Sequence, residues 1–161
     1  LEPFNLTWFE EPVPPESCEA LKQVRDSVNV PLCTGERLYT RWEYLPVLKE
    51  HLADYLMSDV CWTGGISELK KVAALAETFY VNISPHGAMG PIQLIAGAHV
   101  VKTVPNLYRL EVFSLWLEAY NRAMSRPLNI RHGELHLSDG PGLGIELDMD
   151  FIRANPDPEW K

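Results

Sequence analysis

The chain has 161 residues, of which 46% are hydrophobic and 22% are charged, a composition typical of a globular protein. Its formal net charge of −8 argues against a nucleic acid or an acidic membrane as partner, since either would need a basic surface. No apolar run approaches the roughly 18 residues that a membrane span requires. Three cysteines (Cys18, Cys33 and Cys61) show no metal-binding or disulfide-scaffold spacing, so we expect a reducing, cytoplasmic setting.

Short apolar runs alternate with polar turns and with stretches of helical periodicity along the first 125 residues. This alternation is typical of βαβ units and predicts a parallel α/β sheet. The predicted strands cover residues 6–10, 31–36, 54–59, 81–86 and 107–111. The helices predicted to follow them cover residues 16–27, 41–51, 66–79, 89–103 and 115–124. Residues 126–144 are rich in Gly, Pro and His and predict loops and short strands.

An ionisable residue ends each predicted strand. In order along the chain these residues are Glu10, Glu36, Asp59, His86 and Glu111. In (β/α)₈ barrels the carboxyl ends of the strands share one mouth, where catalytic side chains collect. Any single carboxylate there is more often a helix cap or a surface residue. Five successive examples predict a functional site.

Four short motifs at these positions, with their order and spacing, resemble the barrel motifs of a known group. They are Glu10-Glu11-Pro12, Gly35-Glu36, Asp59 followed by Gly64-Gly65, and Ser84-Pro85-His86. The group is the mandelate racemase/muconate lactonizing enzyme branch of the enolase superfamily, which includes sugar-acid dehydratases. The resemblance covers almost the whole chain and implies the later part of a TIM-like (β/α) barrel, incomplete at its N-terminal side.

The resemblance also implies roles for individual residues. Glu10 and Glu36 would bind Mg²⁺, a hard cation that prefers carboxylate oxygens, and Glu11 would lie beside them. Asp59 and His86 would form the base pair that removes the proton next to a substrate carboxylate. Metal ligation makes that step feasible because the enolate that forms carries extra negative charge.

Two further features resemble the galactonate dehydratase-like enzymes of this group. Glu111 corresponds to a glutamate that contacts the enolate, and residues 141–148 resemble that group's C-terminal tail. They favour Mg²⁺-dependent dehydration of a sugar acid (an aldonate) to a 2-keto-3-deoxy acid. Racemisation or epimerisation on the same scaffold is one alternative, and a non-catalytic truncated copy is another. A Lys-x-Lys motif upstream would favour the racemase, and Asp-x-His the dehydratase.

Several parts of the family pattern lie outside the sequence, which opens with Leu1 rather than Met. They are an Asp ligand, an acid His two residues after it, and the N-terminal capping domain. A complete barrel needs roughly 250 residues, so five units cannot close one. We therefore expect a fragment of a longer protein, inactive alone, or a chain whose sheet edges another chain covers. Residues 1–125 would form barrel units and 126–161 a tail packed on the capping domain, in a full-length homo-oligomer.

Other polar residues have more than one interpretation. His132 and His136 could form a metal pair, but no third ligand accompanies them in this loop-rich region, so surface positions are favoured. Gly64-Gly65 could bind a phosphate at a helix N-terminus, although a tight turn explains the pair without a full Gly-rich fingerprint. Arg37 could hydrogen-bond the base or substrate, or form a surface salt bridge.

Three remaining residues have plain expectations. His99 is predicted to pack on, or cap, a helix, and His51 to be exposed at a helix end. Cys61 follows the Asp59 strand and could line the mouth. It has no paired histidine in the sequence pattern that would make it a nucleophile.

Overall fold

The structure is a computed structural model that describes residues 1–156. The last five residues of the predicted tail, 157–161, lie outside the described residues. Four short strands form a parallel sheet in sequential order, and each pairs with the next. They are β1 (Phe9–Glu10), β2 (Leu32–Thr34), β3 (Tyr55–Leu56) and β4 (Asn82–Ile83). The sheet confirms the predicted parallel α/β fold.

Most of the helices follow strands of the sheet, and the last two come later in the chain. The helices are α1 (Cys18–Ser27), α2 (Thr40–Lys49), α3 (Val60–Thr63), α4 (Ile66–Thr78), α5 (Pro91–Val101), α6 (Leu117–Arg122) and α7 (Met149–Ala154). Short 3-10 helices cover Glu2–Phe4 and Ser114–Trp116. The predicted helices match α1, α2, α4, α5 and α6 within a few residues at each end. Helices α3 and α7 were not predicted, and each begins at an aspartate whose side chain caps its backbone N–H groups.

The strands are shorter than predicted, because the chain turns away soon after each one. Glu11 has φ 39° directly after β1, and Gly35 has φ 131° directly after β2. Hydrogen bonds of the parallel type nevertheless continue past the strand ends. The N–H of Met57 donates to the Thr34 carbonyl at 2.9 Å, and that of Ser84 to the Leu56 carbonyl at 2.8 Å. The residues after the strands therefore stay at one edge of the sheet.

The predicted fifth strand, residues 107–111, is only partly formed. A parallel bridge joins Leu107 to Ile83, and the N–H of Tyr108 donates to the Ile83 carbonyl at 2.8 Å. The Glu111 N–H then donates to the Pro85 carbonyl at 3.1 Å. Because proline has no N–H, Pro85 cannot donate to the fifth segment, and the ladder stays discontinuous.

The two faces of the sheet differ in what covers them. Leu32, Leu56 and Ile83 point toward the helices and have no exposed surface. On the opposite face the rings of Trp8, Tyr55 and Tyr108 contact one another, with centroids 4.9 to 5.9 Å apart. Since these residues come from the first, third and fifth segments, their face is the one that lines the interior in a barrel.

The tail begins after α6 and has the predicted loops and short strands. It contains an antiparallel hairpin of β5 (Ile130–Arg131) and β6 (Glu134–Leu135). An isolated bridge between Met124 and Leu147 holds the tail to the end of the barrel units. The domain boundary at residue 125 and the packing of the tail on a capping domain stay predictions. None of the helices within residues 1–156 has the length and apolar character to cross a membrane.

Tyr44 of α2 fixes the turn that follows β2. Its buried hydroxyl donates to the Gly35 carbonyl at 2.7 Å and lies 3.1 Å from Thr63 Oγ1. Burial raises the pKa of Tyr44 to about 12, so the hydroxyl remains protonated, and a donor, well above neutral pH. A Cβ on Gly35 would approach the Tyr44 ring to 3.0 Å, so turn and ring fit closely.

We expect Tyr44→Phe to lower the free energy of unfolding by about 1–3 kcal/mol, because the buried Gly35 carbonyl loses its shorter hydrogen bond and keeps only the Leu38 N–H, at 3.2 Å. Urea unfolding followed by fluorescence measures this. Tyr39→Phe is the matched control, since Tyr39 is 48% exposed, and it should change stability by less than about 0.5 kcal/mol. Equal effects of the two changes would contradict the assigned role of Tyr44.

Candidate active site

Asp59 and His86 form a hydrogen-bonded pair at the carboxyl edge of the sheet. His86 Nδ1 lies 2.7 Å from Asp59 Oδ2. Asp59 Oδ1 accepts the N–H groups of Cys61 at 2.6 Å and Trp62 at 3.2 Å, which makes Asp59 the N-cap of α3. The Asp59 side chain is fully buried and the His86 side chain is 16% exposed. The imidazole therefore rests on a buried carboxylate and keeps one edge accessible.

The electrostatics of this pair fix the tautomer of His86. Burial opposes ionisation of Asp59, but the hydrogen bonds from His86, Cys61 and Trp62 outweigh it and lower the pKa of Asp59. The Asp59 hydrogen bond raises the pKa of His86, and the charges of Glu111 and Glu36 act in the same direction against burial. An ionised Asp59 can only accept, so Nδ1 carries a proton and neutral His86 has its lone pair on Nε2.

Two carboxylates face the free side of the imidazole. His86 Nε2 lies 3.5 Å from Glu36 Oε2 and 3.8 Å from Glu111 Oε2. Glu111 Oε2 also accepts the Gly87 N–H at 2.9 Å, which fixes its direction. Three of the other four predicted site residues, Asp59, Glu36 and Glu111, thus lie within 3.8 Å of His86. A proton on Nε2 would be stabilised by both carboxylates.

Glu10 and Glu11 follow one another but have different surroundings. Glu10 is exposed, and its Oε2 accepts the Trp8 indole N–H at 2.9 Å. Glu11 Oε1 accepts from the Thr34 hydroxyl and the Gly35 N–H, both at 3.0 Å, and its Oε2 accepts from Arg37 Nε at 2.7 Å. These bonds hold Glu11 at φ 39°, a left-handed backbone rare outside glycine. Arg37 therefore forms a salt bridge with Glu11 rather than a hydrogen bond with His86.

Negative charge is concentrated around the site. Burial raises the pKa of the Cys33 thiol strongly, and the charges of Glu10, Glu11, Glu111 and Glu36 add to the rise. Burial also raises the pKa of Glu36; the charges of Glu11 and Glu10 add to it and that of His86 opposes it. Within residues 1–156, no group of three or more His, Cys, Asp or Glu side chains is arranged to hold a metal ion. The oxygen-only, acidic donor set fits two ligands of a hard divalent cation.

The other polar candidates have ordinary surroundings. His132 and His136 are both exposed, and His136 lies 3.8 Å from Glu134. His51 is exposed just after α2, as predicted. His99 is partly buried, with Nε2 3.1 Å from the Leu143 carbonyl. Gly64 and Gly65, with φ of 118° and 95°, form the tight turn between α3 and α4.

Known proteins match this chain in sequence and structure. The family model described as Enolase C-terminal domain-like matches residues 1–151. The chain belongs to this family. It is 32% identical to the D-xylonate dehydratase of Haloferax volcanii over 96% of its own length, and 35% identical to the D-galactonate dehydratase of Xanthomonas oryzae over 100%. These matches confirm the resemblance inferred from the four motifs.

A solved structure agrees with the same assignment. The mandelate racemase/muconate lactonizing enzyme-like protein of Rubrobacter xylanophilus is 37% identical and superimposes with a TM-score of 0.91 over 98% of this chain. The chain spans 38% and 44% of the two dehydratases and 41% of the solved structure. This member of the enolase C-terminal domain-like family therefore presents part of a barrel, as predicted.

Sequence reasoning missed two residues that shape the site of this enolase-like chain. Gln93 in α5 donates to Asp59 Oδ2 and, at 3.2 Å, to the His86 carbonyl. Gly87 lies so close to the fifth segment that a Cβ there would be 1.9 Å from the Glu111 carbonyl oxygen. A glycine directly after a candidate base was the one available signal. Gln93 carried none, because a single glutamine in an apolar helix does not indicate its partner.

We expect Gly87→Ala to displace the segment that carries Glu111 and to cost at least about 1–3 kcal/mol, the range for overpacking. Gly97→Ala is the matched control, because its added Cβ would meet only Leu110 Cδ1 at 3.7 Å. In α5 that change should be neutral or stabilise by up to about 1 kcal/mol. Thermal unfolding of both variants measures the difference. A Gly87→Ala protein as stable as the parent would contradict the close approach.

Proposed function

We propose that this chain carries the general base and two metal ligands of an Mg²⁺-dependent dehydratase that acts on a sugar acid. The observation that supports it best is the Asp59–His86 pair, whose free imidazole edge faces Glu36 and Glu111. Relatives named as dehydratases of D-xylonate and D-galactonate support the same kind of reaction. The substrate class would be an aldonate and the product a 2-keto-3-deoxy acid.

His86 would act on the hydrogen of the carbon beside the substrate carboxylate. Neutral His86 accepts that proton at Nε2, the C–H bond breaks, and its electron pair forms the enolate. Asp59 keeps the proton of Nδ1 in place and stabilises the imidazolium that results. The β-hydroxyl then leaves as water, protonated by the acid histidine that the family pattern places upstream. The resulting enol tautomerises to the 2-keto acid.

Glu10 and Glu36 are the carboxylates available for a cation. The Glu10 carboxylate accepts the Trp8 indole N–H, and the Glu36 carboxylate contacts His86. Within the described residues, neither carboxylate is hydrogen-bonded to a lysine or arginine side chain. A bound Mg²⁺ would neutralise the substrate carboxylate and lower the free-energy cost of forming the enolate. The family pattern includes one further carboxylate ligand, an Asp, besides these two.

Glu11 is unsuited to that role despite its position next to Glu10. Both of its oxygens are engaged, Oε1 by Thr34 and Gly35 and Oε2 by Arg37. Arg37 also neutralises its charge. Glu11 would instead fix the turn after β2, which carries Glu36, so that the two ligand positions keep a constant separation.

Glu111 supports dehydration over racemisation. Its carboxylate is oriented by the Gly87 N–H beside His86, where it can contact the substrate carbon framework. The two sequence relatives compared above, from Haloferax volcanii and Xanthomonas oryzae, are named dehydratases, which favours the same choice. Homo-oligomeric assembly and a cytoplasmic location stay predictions.

In a protein with the complete barrel, His86→Asn should slow exchange of the substrate α-proton with deuterated solvent by about 10²- to 10⁴-fold or more, because the proton acceptor is lost. Asp59→Asn should slow it less, since the imidazole remains. Proton NMR of an aldonate in D₂O measures both rates.

His51→Asn is the matched control for this substitution. His51 is exposed at φ 50°, a conformation that asparagine tolerates, so the exchange rate should not change. Rapid α-proton exchange in His86→Asn would mean that another residue is the base, and the proposed mechanism would be withdrawn.

Glu36→Gln should weaken Mg²⁺ binding by more than about tenfold, because affinity at such sites depends on the number of charged ligands. Isothermal titration calorimetry of the protein with its complete barrel measures the affinity. Glu77→Gln removes the same charge at an exposed position of α4 and should leave it unchanged. Equal affinity of Glu36→Gln and the parent would rule out the ligand assignment.

A further inference from the structure

Gln93 lies in the first turn of α5 and is only 4% exposed. Its Nε2 donates to Asp59 Oδ2 and to the His86 carbonyl, the latter at 3.2 Å. Its Oε1 accepts the Met89 N–H at 2.7 Å. One buried side chain thus contacts the carboxylate, the backbone of the histidine and the loop between His86 and α5.

The partners of Gln93 determine the orientation of its amide. Asp59 Oδ2 and the His86 carbonyl can only accept, so the group facing them must be the NH₂. The Met89 N–H can only donate, so the group facing it must be the oxygen. Both N–H donors of the amide and one lone pair of its oxygen are used, and no apolar side chain of the same length could replace these bonds.

We propose that Gln93 is a positioning residue for the Asp59–His86 pair, an inference that rests on the proposed function of that pair. It holds one carboxylate oxygen of Asp59 and the backbone of His86 at a fixed separation. Because Asp59 Oδ2 is also the acceptor for His86 Nδ1, that separation sets the direction of the imidazole. Gln93 thereby directs Nε2 toward Glu36 and Glu111 without touching the substrate.

Because Gln93 acts through Asp59, its removal should have a distinct kinetic signature. Removing its amide should lower kcat, because the base is misdirected, and leave KM nearly unchanged, because the substrate contacts remain. Its effect should also depend on the Asp59 carboxylate that it holds. Residues that act as a unit show strongly non-additive effects, whereas independent residues show additive ones.

The test uses Gln93→Met, which keeps the length of the side chain, in a protein with the complete barrel and saturated with Mg²⁺. We expect kcat for aldonate dehydration to fall about 10- to 100-fold, the range for residues that orient a catalytic ligand, with KM within about threefold. In an Asp59→Asn background the same change should lower kcat by less than about threefold. Gln93→Glu, which keeps the acceptor for Met89 but loses the NH₂, should also lower kcat and decides the question if the methionine variant misfolds.

Asn106→Leu is the matched control. Asn106 is a second amide with two hydrogen-bond acceptors, although it is only partly buried; its Nδ2 donates to the Ala73 and Val81 carbonyls, both at 3.0 Å, at the opposite end of β4. This change should lower the melting temperature as Gln93→Met does. Its effect on kcat should be small and additive with that of Asp59→Asn.

Two results would overturn the proposal. One is a kcat of Gln93→Met within twofold of the parent. The other is an effect of Gln93→Met on kcat that is as additive with the effect of Asp59→Asn as that of Asn106→Leu. Failure of the proposed function looks different, because the parent itself would neither dehydrate aldonates nor exchange their α-protons. That result would remove both proposals, whereas an active parent with an unaffected Gln93→Met removes only the second.

Discussion

The buried carboxylate of Asp59 is the constraint on which the site depends. A charged group without exposed surface is very costly unless hydrogen-bond donors replace the water it has lost. Asp59 receives four such donors, two from the backbone of α3, one from His86 and one from Gln93. The segments that supply these donors follow β3, follow β4 and begin α5. Satisfying one charge therefore holds three parts of the chain together.

This requirement explains local structure that would otherwise look incidental. Helix α3 has only four residues, too few to be stable alone, and Asp59 caps it. Gly64 ends it in the left-handed conformation, and Gly65 begins α4 directly afterwards. The glycine pair is needed because the chain must end one helix and start another within two residues. The motif of Asp59 and two glycines is thus a cap and a turn.

The sequence was sufficient to predict the helices, which depend on apolar periodicity, and the site residues that lie at strand ends. Apolar periodicity located α1, α2, α4 and α5, and the strand ends located Asp59, His86 and Glu36 at one edge. It could not predict contacts that depend on the separation of distant segments. Gln93 and Asp59 are 34 residues apart in the sequence, and Gly87 and Glu111, which are in contact, are 24 residues apart. Arg37 was ambiguous for the same reason, because either of two directions was open to its long side chain.

The adjacent glutamates show how surroundings, rather than residue type, separate chemical roles. Glu10 and Glu11 have the same type of side chain, yet the oxygens of Glu11 accept hydrogen bonds from Arg37, Thr34 and Gly35. Glu10 lies on the inner face with the aromatic side chain of Trp8 and is exposed. A carboxylate already neutralised gains little from a cation, whereas one surrounded by other carboxylates gains most. The backbone turn at Glu11, with its unusual φ, therefore lets one of two neighbouring glutamates serve the structure and leaves the other available for the metal that the proposed function assigns to it.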